Sequence, residues 1–240
     1  MTSTLLPENT PGAELSLLED GARYALLQRL TPVLQHQIMG NFQSMDMLAV
    51  MMDRRLQSAS PDLGNLRQDC TLLGSVSESA IKSVINLLTW VCPKPAATQR
   101  FDAGVEECAA LLLNDFKLKG FVIANEVPPV AAEFSCRALR SVVSAALFCL
   151  SDQATAPATL TLRAQAFPDR IDLTIDLLCT EQEQAKHVYS NGYRLLNWRD
   201  LELLAAAESV GLARSDSGAW LSFRLPAEHQ KLPAALVASG

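Results

Sequence analysis

The sequence predicts an α+β chain: a long antiparallel helical hairpin followed by an α/β sandwich. Three observations carry this. Apolar residues recur at spacings of three and four over residues 14–55 and again over about 61–91. Two proline-rich breaks, "SASPDLG" and "CPKPAATQR", end those runs. Beyond them the texture changes to short helical runs mixed with alternating strand-like ones. With 240 residues, 49% of them hydrophobic and only 19% charged, the chain can bury a sizeable core.

Residues 1–13 are polar and turn-prone, with Pro7 and the Pro11–Gly12 pair, and read as a disordered tail. The hairpin is expected over 14–93. Its first helix carries Leu15, Leu18, Ala22 and Leu26 on one stripe. Leu27, Leu30, Leu34, Ile38, Phe42, Met45, Ala49 and Met52 continue it. Pro32 interrupts the run, either kinking one helix or opening a new one with Thr31 as cap; a kink or short break at 28–32 is expected. Ser60 or Asp62 can cap the second helix, whose apolar side holds Leu63, Leu66, Cys70, Leu73, Ala80, Val84, Leu87 and Val91. A lone hairpin leaves much apolar surface wet. Pairing with a second copy as a four-helix bundle removes it, so a homodimer is expected.

Residues 94–100 read as a linker and 101–228 as the sandwich, with a tail at 229–240. "FDAGVEECAALLLNDFKLKG" is a helix stopped by Gly120, and "FVIANEV" a strand. "CRALRSVVSAALFCLSD" is an apolar helix, followed by the strands "ATLTLRAQAF" and "RIDLTIDLL". After an irregular polar segment come the helix "RDLELLAAAESVG" and the strand "AWLSFRLP".

Composition excludes several function classes. A formal charge of −6, with no basic cluster interleaved with aromatics, argues against nucleic acid. No secretory signal and no membrane-length apolar run is present, so a cytoplasmic protein without membrane contact is expected. The six cysteines stand singly, without metal-ligand spacing, and read as buried reduced thiols.

One residue is out of keeping with its helix: His36, in "LTPVLQHQIMGNFQSMDML". At about 100° per residue it points away from the stripe of Leu30, Leu34, Ile38 and Met45. An exposed neutral imidazole is a competent nucleophile near neutral pH. His187, in the polar segment, and His229, in the tail, read as solvated.

A hairpin with a histidine in its first helix, then helix, strand, helix, two strands, helix and strand, resembles the catalytic core of histidine kinases over roughly residues 20–227. "LQHQIMGNFQ" is similar to the histidine box of their dimeric phosphotransferase branch, with Phe42 and Gln43 where Leu-Gln falls. "AAAESVGLARSDSGAWLSFRLPA" looks like the end of a GHKL (Bergerat-type) ATPase domain. The resemblance implies a dimerisation hairpin whose His36 accepts phosphate, and a partner that is a response-regulator receiver domain. Met39, Gly40, Gln43 and Met47 would form the docking face.

The departures narrow the implied function. Where the family presents asparagines to Mg²⁺ and phosphate, this chain has Ala145 and Cys149, which offer no oxygen ligand. Asp176 falls at the adenine-binding aspartate, but Leu178 takes the following glycine's place. Between Arg170 and Ser217 only Gly192 and Gly211 occur, too few for a phosphate-wrapping lid. Asp176 then reads as an ordinary strand residue. Beside His36 the family's acid is Gln37, which can orient the ring but cannot take a proton. The expectation is a degenerate GHKL domain and a phosphorelay protein that binds no cofactor of its own, the receiver supplying Mg²⁺. An inert dimeric scaffold or inhibitor of a two-component system is the alternative. An ATP-dependent histidine kinase fits least.

Overall fold

The computed structural model describes residues 11–91, 94, 96–179, 194–215 and 217–225. His187, His229 and Cys92 lie outside them, as do most of the two expected tails. The chain divides into two compact units: Leu30–Lys94, and Met1–Arg29 together with Pro95–Gly240. The fold class is the expected one, a helical hairpin plus a mixed sheet with helices.

In the hairpin, α1 (Pro11–Leu56) and α2 (Leu63–Val91) run antiparallel. Asn41 Nδ2 donates to Ser83 Oγ at 2.9 Å, and Arg55 pairs with the buried Asp69. Helix α1 begins at Pro11, inside the expected tail, and continues through Pro32. Of the kink or short break expected at 28–32, the break is absent: a proline costs the helix one hydrogen bond, and here the helix continues past it. Asp62 caps α2, its Oδ1 accepting from the backbone N–H of Gly64 and Asn65 at 2.9 and 3.1 Å. The hairpin interior holds Leu34, Leu48, Leu66 and Ala80. Phe42, read as part of this stripe, is exposed, because it lies about 80° round α1 from the buried direction.

The second unit carries a five-stranded sheet in the order β2-β4-β5-β7-β6. Its strands are β2 (Val122–Asn125), β4 (Ala158–Ala166), β5 (Arg170–Cys179), β6 (Gly211–Arg214) and β7 (Gly218–Arg224). Among the described residues only the β2–β4 pairing is parallel. A two-stranded sheet joins β1 (Thr98–Arg100) to β3 (Glu133–Ser135), so part of the expected linker is a strand. The helical layer is α3 (Phe101–Leu118), the run α4 (Cys136–Ala138), a π turn (Leu139–Val143) and α5 (Ser144–Gln153), and α6 (Trp198–Ala207). Phe101, Phe134 and Phe223 meet edge to face, with ring centres 5.4–5.9 Å apart, and knit both sheets to α3. Gly120 ends α3 at φ +82°, a conformation that favours glycine.

A capping box starts α6. Asn197 Oδ1 accepts from the Asp200 N–H at 3.0 Å, and Asp200 accepts from the Asn197 N–H at 3.0 Å. Burial works against the charged form of Asp200. Even so, the Arg194 guanidinium at 2.5 and 2.7 Å, with the Asn197 N–H, holds its carboxyl below the usual range. A carboxyl whose folded pKa is depressed adds stability above its unfolded value, about 3.9, and loses it as pH falls through the lower folded value. Melting temperature is therefore expected to fall in that acid window in the wild type. In Asp200→Asn this part of the Tm–pH curve is expected to flatten while stability at neutral pH drops.

The first five turns of α1 belong with this unit rather than with the hairpin. Ala22, Ala25 and Leu26 are buried, and Arg23 pairs with Glu208 at 2.8 Å. Arg29 pairs with Asp152 of α5 at 2.6 Å, both nearly out of solvent. That pairing separates residues 14–29 from the expected hairpin of 14–93.

Candidate functional site

Helix α1 positions His36. The buried direction of the helix, marked by Leu34, Met45, Leu48 and Met52, lies about 160° away from it. Its ring is exposed and makes no hydrogen bond or ion pair among the described residues. Met39, Gly40, Gln43 and Met47 follow at spacings of 3, 4, 7 and 11. All four are exposed and lie within about 60° of the histidine's direction. Met39 and Met47 leave 47% and 61% of their surface in solvent. A Cβ added at Gly40 meets nothing within 4 Å, so the space beside the histidine is open. The Gly40 carbonyl accepts from Ser44 Oγ at 2.9 Å. Gln37 is exposed too, but points about 100° away from His36. Val50, 45% exposed and fourteen residues beyond His36, extends the same face. Its position in the helical count was the signal that could have found it.

The residues aligned with a nucleotide site belong to the sheet-bearing unit. Ala145 and Cys149 are 1% and 0% exposed. On the same side of α5, Asp152 takes the Arg29 ion pair and the Leu196 N–H at 3.1 Å. The Arg29 guanidinium sits 4.9 Å over the Phe148 ring. Residues of α1 and the segment before α6 thus fill this helix face. Cys149 Sγ accepts from Gln153 Nε2 at 2.9 Å.

Strand β5 buries Ile171, Leu173 and Ile175, so Asp172, Thr174 and Asp176 project from the opposite face, away from the helices. Asp176 accepts from Ser217 Oγ at 2.7 Å and pairs with Arg163 at 3.4 Å. It is a strand residue tied to its neighbours. Leu178, at the first glycine's position, is exposed.

The cysteines divide. Cys108, Cys136 and Cys149 are buried, whereas Cys70 and Cys179 are exposed, which corrects the expectation of uniform burial. Cys70 faces outward from α2, and Cys179 ends β5. Burial pushes the Cys108 and Cys149 thiols up to about 12, so neither is a nucleophile at neutral pH.

No helix among the described residues is long and apolar enough to cross a membrane. No family model matches the chain, and no curated protein matches its sequence. Similar solved structures include the Acinetobacter baumannii histidine kinase AdeS, at 14% identity, covering 76% of this chain and 96% of that one, with a TM-score of 0.40. A histidine kinase, ThkA, in complex with the response regulator protein TrrA is 10% identical, covering 94% and 69%, at 0.41. A bacterial phosphotransferase is 11% identical, covering 91% and 99%, at 0.35.

Proposed function

We propose that this chain is a cytoplasmic, dimeric phosphotransfer protein of two-component signalling, which exchanges phosphate between His36 and a response-regulator receiver domain without binding ATP. The observation that carries the reading is the exposed ring of His36 on a helical hairpin, without a hydrogen-bond or ion-pair partner among the described residues and flanked by Met39, Gly40, Gln43 and Met47. The lone pair of one ring nitrogen attacks the phosphorus of the receiver's aspartyl phosphate. The N–P bond forms, the P–O bond to the aspartate breaks, and the aspartate leaves as a carboxylate. The proton on the other ring nitrogen then passes to water. The phosphoramidate so formed is itself a phosphoryl donor, so the step runs in both directions. Mg²⁺ comes with the receiver, and this chain needs no cofactor of its own. Flexible methionines suit an adaptable docking face.

The buried Ala145 and Cys149, the Arg29–Asp152 pair over the same helix face and the outward-facing Asp176 support the reading without ATP. Millimolar Mg-ATP is expected to leave the melting temperature unchanged. A nucleotide at 100 times its dissociation constant would stabilise the protein by about 2.7 kcal/mol, easily read by differential scanning fluorimetry.

The dimer rests on unpaired apolar surface. Ile81, Ile85 and Leu88 on α2 are 57–58% exposed, and Phe42 and Leu56 on α1 remain open as well. A second copy would bury them in a four-helix bundle. The double substitution Ile81→Glu/Ile85→Glu is expected to turn a dimer into a monomer in sedimentation velocity; an unchanged dimer would place the contact elsewhere. Gln37 favours a second reading, an inert scaffold that holds a receiver without covalent chemistry. Phosphate transfer to the chain from a phosphorylated receiver separates the two.

A further inference from the structure

Strand β6 is one edge of the five-stranded sheet, so among the described residues one side of its backbone has no neighbouring strand. Within β6, Leu212 pairs with the buried Leu221 and Arg214 with the buried Ala219, so both side chains lie on the helical side of the sheet. Between them and α6 runs a groove of about 400 Å³, with Ala205, Ala206 and Val210 as its apolar lining. Small residues keep it open.

The Arg214 guanidinium stacks 4.4 Å over the Trp198 ring at one end of the groove, and the side chain is exposed. It makes no ion pair among the described residues. The groove's acid, Glu202, is neutralised by Arg199 at 3.3 Å. The unmatched charge of the groove is therefore positive, held on an aromatic platform and ready for a planar carboxylate.

We infer that this edge is a docking site for an extended peptide segment of another protein, one carrying an acidic residue and an apolar residue two positions apart. Such a segment lies alongside β6 and continues the sheet through main-chain hydrogen bonds. Side chains two apart share a face, so the carboxylate reaches Arg214 while the apolar side chain enters the groove beside Leu212 and Val210. The charge fixes the partner's sign, and the two-residue step fixes its pattern. The site is built from residues of the sheet-bearing unit alone and does not depend on phosphate chemistry.

The test is a ¹H–¹⁵N NMR titration of the full chain with the capped octapeptide TSTETVTS. Saturable shifts are expected at the backbone amides of residues 211–214 and at the Trp198 indole N–H. Exchanging the peptide's Glu for Gln should weaken binding by roughly 1.5- to five-fold, the range of an exposed ion pair. TSTTEVTS, which puts the acid and the valine on opposite faces, should bind no better than the Gln peptide. Arg214→Gln should lose the preference for Glu, and Arg214→Glu should prefer a Lys peptide instead; unchanged signals elsewhere report that both variants fold. Absence of shifts at 211–214, equal binding of the Glu and Gln peptides, or shifts at the other sheet edge would each overturn the proposal. So would amides at 211–214 already covered by residues 226–240 or by a second copy, seen as slow exchange that no peptide alters.

Discussion

Asp152→Ala is expected to destabilise the sheet-bearing unit by about 3–5 kcal/mol, because it leaves the buried Arg29 guanidinium without its carboxylate. Arg29 and Asp152 are 5% and 9% exposed and meet at 2.6 Å. The same substitution also strands the Leu196 N–H, which donates to Asp152 at 3.1 Å. For a unit of this size the loss corresponds to a fall of roughly 6–20 °C in Tm. The double replacement Arg29→Met/Asp152→Leu removes both charges and fills the space with apolar groups. It is expected to recover most of the loss, since desolvation offsets much of what a buried pair contributes. Thermal unfolding of the three proteins checks this. A single-mutant loss below about 1 kcal/mol would mean that the early turns of α1 are not held against α5.

His36→Ala is expected to abolish phosphate acceptance, by at least about a thousandfold, while changing stability by no more than about 0.5 kcal/mol. The two effects separate because the ring is exposed and makes no hydrogen bond or ion pair among the described residues: removing it takes away a nucleophile and little packing. Receiver binding is expected to persist, since Met39, Gln43 and Met47 remain. Labelling from a phosphorylated receiver, followed beside a melting curve and a binding isotherm, distinguishes lost chemistry from lost structure. Transfer that continues in the variant would remove His36 from the reaction.

The long helices were legible because their signal is local and repeated. Leu30 and Leu34 mark one face, Asp62 caps α2, and Gly120 closes α3 with its positive φ. The outward direction of His36 followed from the same count. Phe42 misled because the count is blind to how wide the partner helix is. It sits at the margin of the stripe and stays exposed.

What the pattern could not carry was non-local. The Arg29–Asp152 pair joins residues 123 apart and draws five turns of α1 into the second unit. Strands β1, β3 and β6 are three or four residues long, too short for alternation to register. The direction of Asp176 was present in the alternation of Ile171, Leu173 and Ile175. The exposed Cys70 and Cys179 show that apolar neighbours along the chain do not assure burial in the fold.

On the proposed function, phosphate reaches His36 from another protein and not from ATP. Parallel incubation of the wild-type chain with γ-labelled Mg-ATP and with a phosphorylated receiver domain tests it most directly, with bound label then challenged by acid and by alkali. Acid-labile, alkali-stable label is expected from the receiver alone. Label from ATP, or none from any phosphorylated receiver that binds the chain, would contradict it.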